Sequence, residues 1–173
     1  STVGVSLAYW ASAVTGNNDS ATGVVTVGSG DAVTTTVSVA DVLDNGKKLV
    51  PAAYADTASE VSSISLVFTV DFNANQTAGD GAVGSLTVTK AVSIMNGTTD
   101  YTASLSKYVT APVPGAARII AGGDTVNVTI PVSLIEPVKA LASPATEEQA
   151  ILDSVHLQDA VITFTFTFTV AIV

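Results

Sequence analysis

The sequence predicts an all-β chain: an antiparallel β-sandwich, jelly-roll-like, with one or two short helices and a separate N-terminal arm. Three observations predict it. Apolar residues recur at every second position over most of the chain, the period of a half-buried strand. Val, Ala, Thr, Ser and Gly dominate, with 47% hydrophobic residues and only 12% charged ones, a composition suited to β-branched strands and tight turns. Clusters of Gly, Asn, Asp and Ser separate about eight alternating runs.

The elements follow in order. Residues 2–10, TVGVSLAYW, place Val3, Val5, Leu7 and Tyr9 on one face and Thr2, Gly4, Ser6 and Ala8 on the other. TGNNDS at 15–20 is polar and built for flexibility. GVVTV (23–27) and AVTTTVSVA (32–40) flank GSGD, a hairpin signal. Asp44-Asn45-Gly46 reads as a tight turn. Residues 61–72 form a long strand with Ile64, Leu66, Phe68, Val70 and Phe72 on one face. The loop NANQTAGDG leads to a strand at 83–95, and Asn96-Gly97 is the preferred pair for a type I′ hairpin. Pro112 and Pro114 exclude a central strand in 99–121, and Pro131 marks the strand at 124–135 as an edge or a bulge. Thr146-Glu147-Glu148-Gln149 reads as a capping box opening a helix over about 147–157, with Ile151, Leu152 and Val155 as its apolar stripe. Shorter helical turns are expected near 103–109 and 136–142. The whole divides into an arm (1–12), a linker (13–20) and a body (21–173).

The closing run, VITFTFTFTVAIV, aligns Ile162, Phe164, Phe166, Phe168, Val170 and Ile172 on one face and holds three of the five Phe. Its apolar face is expected to be core. Its backbone edge has no later segment to pair with, so a strand from another copy is expected beside it. Phe164, Phe166, Phe168 and Val170 then mark the candidate acceptor groove.

Charge and composition exclude several function classes. Net charge is −9, from 15 acidic and 6 basic residues, which disfavours nucleic-acid backbones and anionic lipid. There is no Cys, hence no disulfide framework or thiol chemistry. No apolar run reaches the roughly 18 residues of a membrane helix, so no membrane span is expected in the mature chain. Ser1 in place of Met points to a processed, exported form. The sequons at Asn18, Asn75 and Asn96 are candidate N-glycosylation sites, and the one at Asn127 lies within a strand.

Catalytic chemistry finds no support in the sequence. His156 is the single histidine, it sits on the expected helix, and no nucleophile elbow or HExxH accompanies it. No phosphate loop is present, and no cofactor is expected. Asp71, Asn73 and Asn75 begin like a calcium loop, with Asp80 as a further oxygen ligand, but position six is Gln76 and position twelve is Ala82. Tyr9, Trp10, Tyr54, Tyr101 and Tyr108 are scattered, which favours packing over a sugar-stacking platform.

The arm carries the functional reading. Nine residues span about 30 Å at roughly 3.3 Å each, enough to run the length of a sheet. Val3, Val5, Leu7, Tyr9 and Trp10 suit a donor strand added to a neighbour's sheet, a recognised mode of edge addition. Burying Val3, Val5, Leu7 and Tyr9 contributes roughly 6–12 kcal/mol. Association costs roughly 4–15 kcal/mol, so strand hydrogen bonds and a body contact must add the remainder. A head-to-tail contact of this kind propagates into a filament.

The segment ATGVVTVGSGDAVTTTVSVADVLDNGKKL (21–49), followed by ISLVFTVDF (64–72), resembles the TasA/camelysin family of secreted jelly-roll proteins. The turn from Leu43 to Leu49 and the strand holding Phe164, Phe166 and Phe168 are similar to that family's patterns. The resemblance covers roughly half of the chain. It implies extracellular fibres built by N-terminal donor strands: a homopolymer of identical subunits head to tail, with lateral contacts between filaments. Archaeal bundling pili subunits are similar in fold and assembly, and the low charge, Val/Thr/Ala bias and lack of Cys look closer to them. Low lysine content and a compact 99–121 region depart from the bacterial members. Some camelysins cleave casein, but the zinc ligands this needs have no match here. The alternative is a monomeric carbohydrate-binding or surface-layer β-sandwich domain.

Overall fold

The computed structural model describes residues 20–28, 32–38, 47–56, 58–73, 83–114, 118–121 and 125–172. The arm at 1–12 lies outside these residues, as does all of the linker except Ser20. The strands are β1 (Ser20–Gly28), β2 (Ala32–Ser38), β3 (Lys48–Leu49), β4 (Glu60–Val61), β5 (Ser63–Asn73), β6 (Val83–Asn96), β7 (Thr99–Asp100), β8 (Val109–Thr110), β9 (Arg118–Ala121), β10 (Thr125–Leu134) and β11 (Val161–Ile172). Two α-helices accompany them, α1 (Thr102–Leu105) and α2 (Glu147–Leu157). The chain is mostly β, as expected, with largely antiparallel sheets.

One sheet runs β1-β5-β10-β8; the other runs β2-β11-β6-β7, with β9 also on β6. A short parallel pair, β3 and β4, stands apart. The period-two residues dictate which side of each long strand is buried. Ile64, Leu66, Phe68 and Val70 of β5 are buried, as are Val128, Ile130, Val132 and Leu134 of β10 and Ile162, Phe164, Phe166 and Phe168 of β11. All belong to one apolar cluster fed by both sheets. Phe68 reaches the rings of Phe166 and Phe168, each with centroids 5.3 Å away and planes tilted by about 60°. Full burial of each Phe contributes on the order of 2–3 kcal/mol.

Two expectations about pairing are corrected. GSGD does not join a hairpin: β1 pairs in parallel with β5, whereas β2 pairs antiparallel with β11 in the other sheet. Local turn chemistry marks a change of direction, but long-range partners decide the pairing. β11 is also flanked on both sides over most of its length. It pairs with β2 along Thr163–Thr169 and with β6 along its full length, Val161–Ile172. Its partners come from earlier in the chain, so no later segment is required.

Pro131 behaves as an edge proline. The N–H of Ile135 donates to the Tyr108 carbonyl on the β8 flank, and alternation turns the nitrogen of Pro131 to that same flank. β8 covers that flank only at Ser133 and Leu134, so the proline costs no bond to β5. The hairpin after β6 forms with its loop shifted by one residue. Asn96 still pairs with Thr99, and only Gly97, at φ 60°, has positive φ, so the turn is not type I′.

The helical expectations hold in position. A turn of 3₁₀-helix (Ser106–Tyr108) extends α1, and Val138–Ala142 makes a single turn. α2 begins where the capping box placed it, but the box is half built. Thr146 Oγ1 accepts from the Gln149 N–H at 3.1 Å, whereas the Gln149 side chain turns to Asp153 instead of returning to Thr146.

Candidate assembly surfaces and a buried carboxylate

Phe164, Phe166 and Phe168 are 1%, 0% and 0% exposed. They fill the chain's own core, and β11 is paired on both flanks there. The candidate acceptor groove is therefore corrected at Phe164, Phe166 and Phe168, where both flanks of the strand are already paired; at Val170 only the β6 flank is paired among the described residues. At one end of each sheet stand β1 and β2, and no described strand pairs with the outer flank of either. They follow one another in the chain and lie against each other, so the two flanks stand side by side. On the opposite side β8 covers β10 only at Ser133 and Leu134, and Pro131 interrupts the donors of that flank. β6 is covered at its ends by β7 and β9, and its central Lys90 ammonium donates to the Ala111 carbonyl.

The donor-strand residues Val3, Val5, Leu7, Tyr9 and Trp10 lie outside the described residues, as do Asn18, Asn75 and Asp80. Asp71 and Asn73 are the last residues but two and the last of β5, still paired with Thr26 and Gly28 of β1. The first three positions of the candidate calcium stretch thus belong to the ladder. Among the described residues no group of three or more His, Cys, Asp or Glu could hold a metal.

Asn96, a candidate glycan acceptor, is half-buried and engaged within the fold. Its Nδ2, the atom a glycan would take, donates to the carbonyls of His156 and Gln158, each at 2.9 Å. These bonds tie the β6–β7 turn to the C-terminal end of α2, where unsatisfied carbonyls need donors. Asn127, by contrast, is exposed on β10, and its Oδ1 accepts from the Thr69 hydroxyl.

α2 packs the reverse of its expected face. Ala150, Asp153, Ser154 and Leu157 are buried, while Ile151, Leu152 and Val155 are 40%, 44% and 48% exposed. The inward set has helical spacing of its own, i, i+3, i+4 and i+7. Asp153 explains the choice. Its Oδ2 accepts from the Tyr108 hydroxyl at 2.6 Å and its Oδ1 from Gln149 Nε2 at 2.8 Å. Tyr108 and Asp153 are both buried, and burial, the bond to Asp153 and the carboxylate's charge push the Tyr108 hydroxyl's pKa well up. A cavity of about 280 Å³ adjoins the pair, lined by Ala103, Ser104, Lys107, Ser143 and Asp153. The Lys107 ammonium stands 5.3 Å from the Tyr108 ring centroid.

His156 is half-buried and stacks on Tyr101, with centroids 4.2 Å apart. The described tyrosines make no sugar-stacking platform. Tyr54 is half-buried and donates to Glu136 at 2.6 Å, Tyr101 is taken up by His156, and Tyr108 is core. Sequence reading missed the Tyr108–Asp153 pair. Its one available signal was the row Ala150, Asp153, Ser154 and Leu157 at i, i+3, i+4 and i+7 on α2.

Among the described residues no helix is long and apolar enough to cross a membrane. No protein-family model, no curated protein and no solved structure matches the chain.

Proposed function

We propose that the two sheets form an antiparallel, jelly-roll-like β-sandwich and that the chain is an extracellular structural subunit. It polymerises head to tail when residues 2–10 of one copy add to the sheet of the next, giving pili or biofilm-matrix filaments. The supporting observation is the neighbouring pair β1 and β2, where no described strand pairs with either outer flank. An unpaired flank presents a row of N–H and C=O groups that template another strand. TVGVSLAYW has the length and the alternation to fill it. The resemblance of 21–49 and 64–72 to TasA/camelysin proteins and archaeal bundling pili subunits supports the same reading. Enzymatic activity and cofactors form no part of it.

Electron microscopy of the full chain beside a chain lacking residues 1–12 tests this. The full chain should form filaments. The truncated chain should stay monomeric and bind an added peptide of residues 1–12. Filaments from the truncated chain would refute the proposal.

A further inference from the structure

The cavity of about 280 Å³ beside Asp153 carries one group of each charge. Asp153 is 2% exposed, whereas Ala103, Ser104, Lys107 and Ser143 are exposed, so the carboxylate forms the floor and the others the rim. Two neutral donors, the Tyr108 hydroxyl and Gln149 Nε2, fix that carboxylate. An ionised carboxylate has about four lone-pair sites, so about two are left over. The Ser104 hydroxyl gives its proton to the Tyr101 carbonyl at 3.2 Å, which leaves its oxygen as a second acceptor. The Lys107 ammonium rests near the Tyr108 ring, and among the described residues it makes no ion pair with Asp153. The two charges thus share the cavity without neutralising each other.

We propose that this cavity binds a small zwitterion of the α-amino-acid type, its ammonium on Asp153 and its carboxylate on Lys107. Charge decides the class. A simple anion would meet the Asp153 carboxylate, and a simple cation would meet the Lys107 ammonium. A neutral ligand would leave the buried carboxylate without a countercharge, a costly state. A dipolar ligand answers both groups at once.

The donors and acceptors agree with that choice. The N–H groups of a ligand ammonium match the open lone pairs of Asp153 and the Ser104 oxygen. Lys107, on its flexible stem, meets the ligand carboxylate as a point charge. Small-molecule sites run from about 300 Å³ upward, so this cavity suits the smallest members of the class, such as glycine or alanine. The bonds from Tyr108 and Gln149 hold Asp153 in place before the ligand arrives, which lowers the cost of ordering on binding. A few heavy atoms in an open cavity still bind weakly, with Kd on the order of 1 mM.

Equilibrium dialysis of the full chain against radiolabelled L-alanine tests this. Binding should saturate. Unlabelled glycine should displace the label, whereas acetate, methylammonium and glycerol should do so about tenfold less well, since none offers both charges. Lys107→Ala should weaken binding about tenfold, the worth of one charge-assisted hydrogen bond. Lys107 is exposed, so the fold tolerates the change. Lys139→Ala, also exposed but outside the cavity lining, should bind as the native chain does. No saturable binding, displacement by acetate or methylammonium as good as by glycine, or equal binding by the native and Lys107→Ala chains overturns the proposal. Dialysis reads bound ligand on monomer and filament alike, so the result is independent of the filament reading.

Discussion

The hydroxyl of Tyr108 donates to Oδ2 of Asp153 at 2.6 Å, and both residues are buried. The bond joins the turn after α1 to the inward face of α2. A buried carboxylate that loses a donor bears the full desolvation penalty. Tyr108→Phe should therefore cost about 1–3 kcal/mol, measured by urea unfolding. Combined with Asp153→Ala, the loss should fall short of the two single losses summed, because the variants remove one shared bond. Additive losses would show the pair uncoupled.

Alkaline stability follows from the two buried or half-buried phenols. The bond to Glu136, then burial, pushes Tyr54 from 10.0 to about 12. Burial, then the bond to Asp153, pushes Tyr108 higher still. Each folded-state pKa is raised, so the stability it contributes is complete below pH 10 and is lost as pH rises through the folded values. Unfolding midpoints should drop steeply above pH 10. Tyr54→Phe should shallow that drop without altering the slope between pH 7 and 9.

Asn96→Ala removes both donors from the carbonyls of His156 and Gln158. About 1–3 kcal/mol of stability should go with them. Amide exchange should rise first at the C-terminal end of α2. Peptide mass spectrometry of the protein from its native source should find Asn96 unmodified; a glycan there would contradict the placement of its side chain.

Core and outer rows of β11 should respond differently. Phe166→Ala opens a cavity beneath Phe68 and should cost about 3–5 kcal/mol. Thr165→Ala, one residue away on the half-buried outer row, should cost about 1 kcal/mol or less, the span of strand propensity. Equal losses at both positions would mean that the row facing away from the core is packed as tightly as the core.

Much of the fold was legible because the long strands advertise their period. The inward faces of β5, β10 and β11 and the limits of α2 follow directly from spacing. Pairing was not legible. β1 finds β5 and β2 finds β11 across long stretches of chain, and no local pattern encodes such a choice. The inverted face of α2 was hidden for another reason. Hydrophobicity favours Ile151, Leu152 and Val155 inside, but a donor from outside the helix, the Tyr108 hydroxyl, lets Asp153 occupy that place. The partners of Asn96 were hidden for the same reason: a sequon shows the acceptor atom but not its competing partners.

The register of β2 has a consequence in time. Ala32 lies opposite Thr169, a separation of 137 residues. Contacts so distant in sequence form slowly, since loop closure precedes any reward. During synthesis β2 has no sheet partner until β11 has been made. The sheet that holds β2 therefore closes late in folding, after the rest of its strands are available.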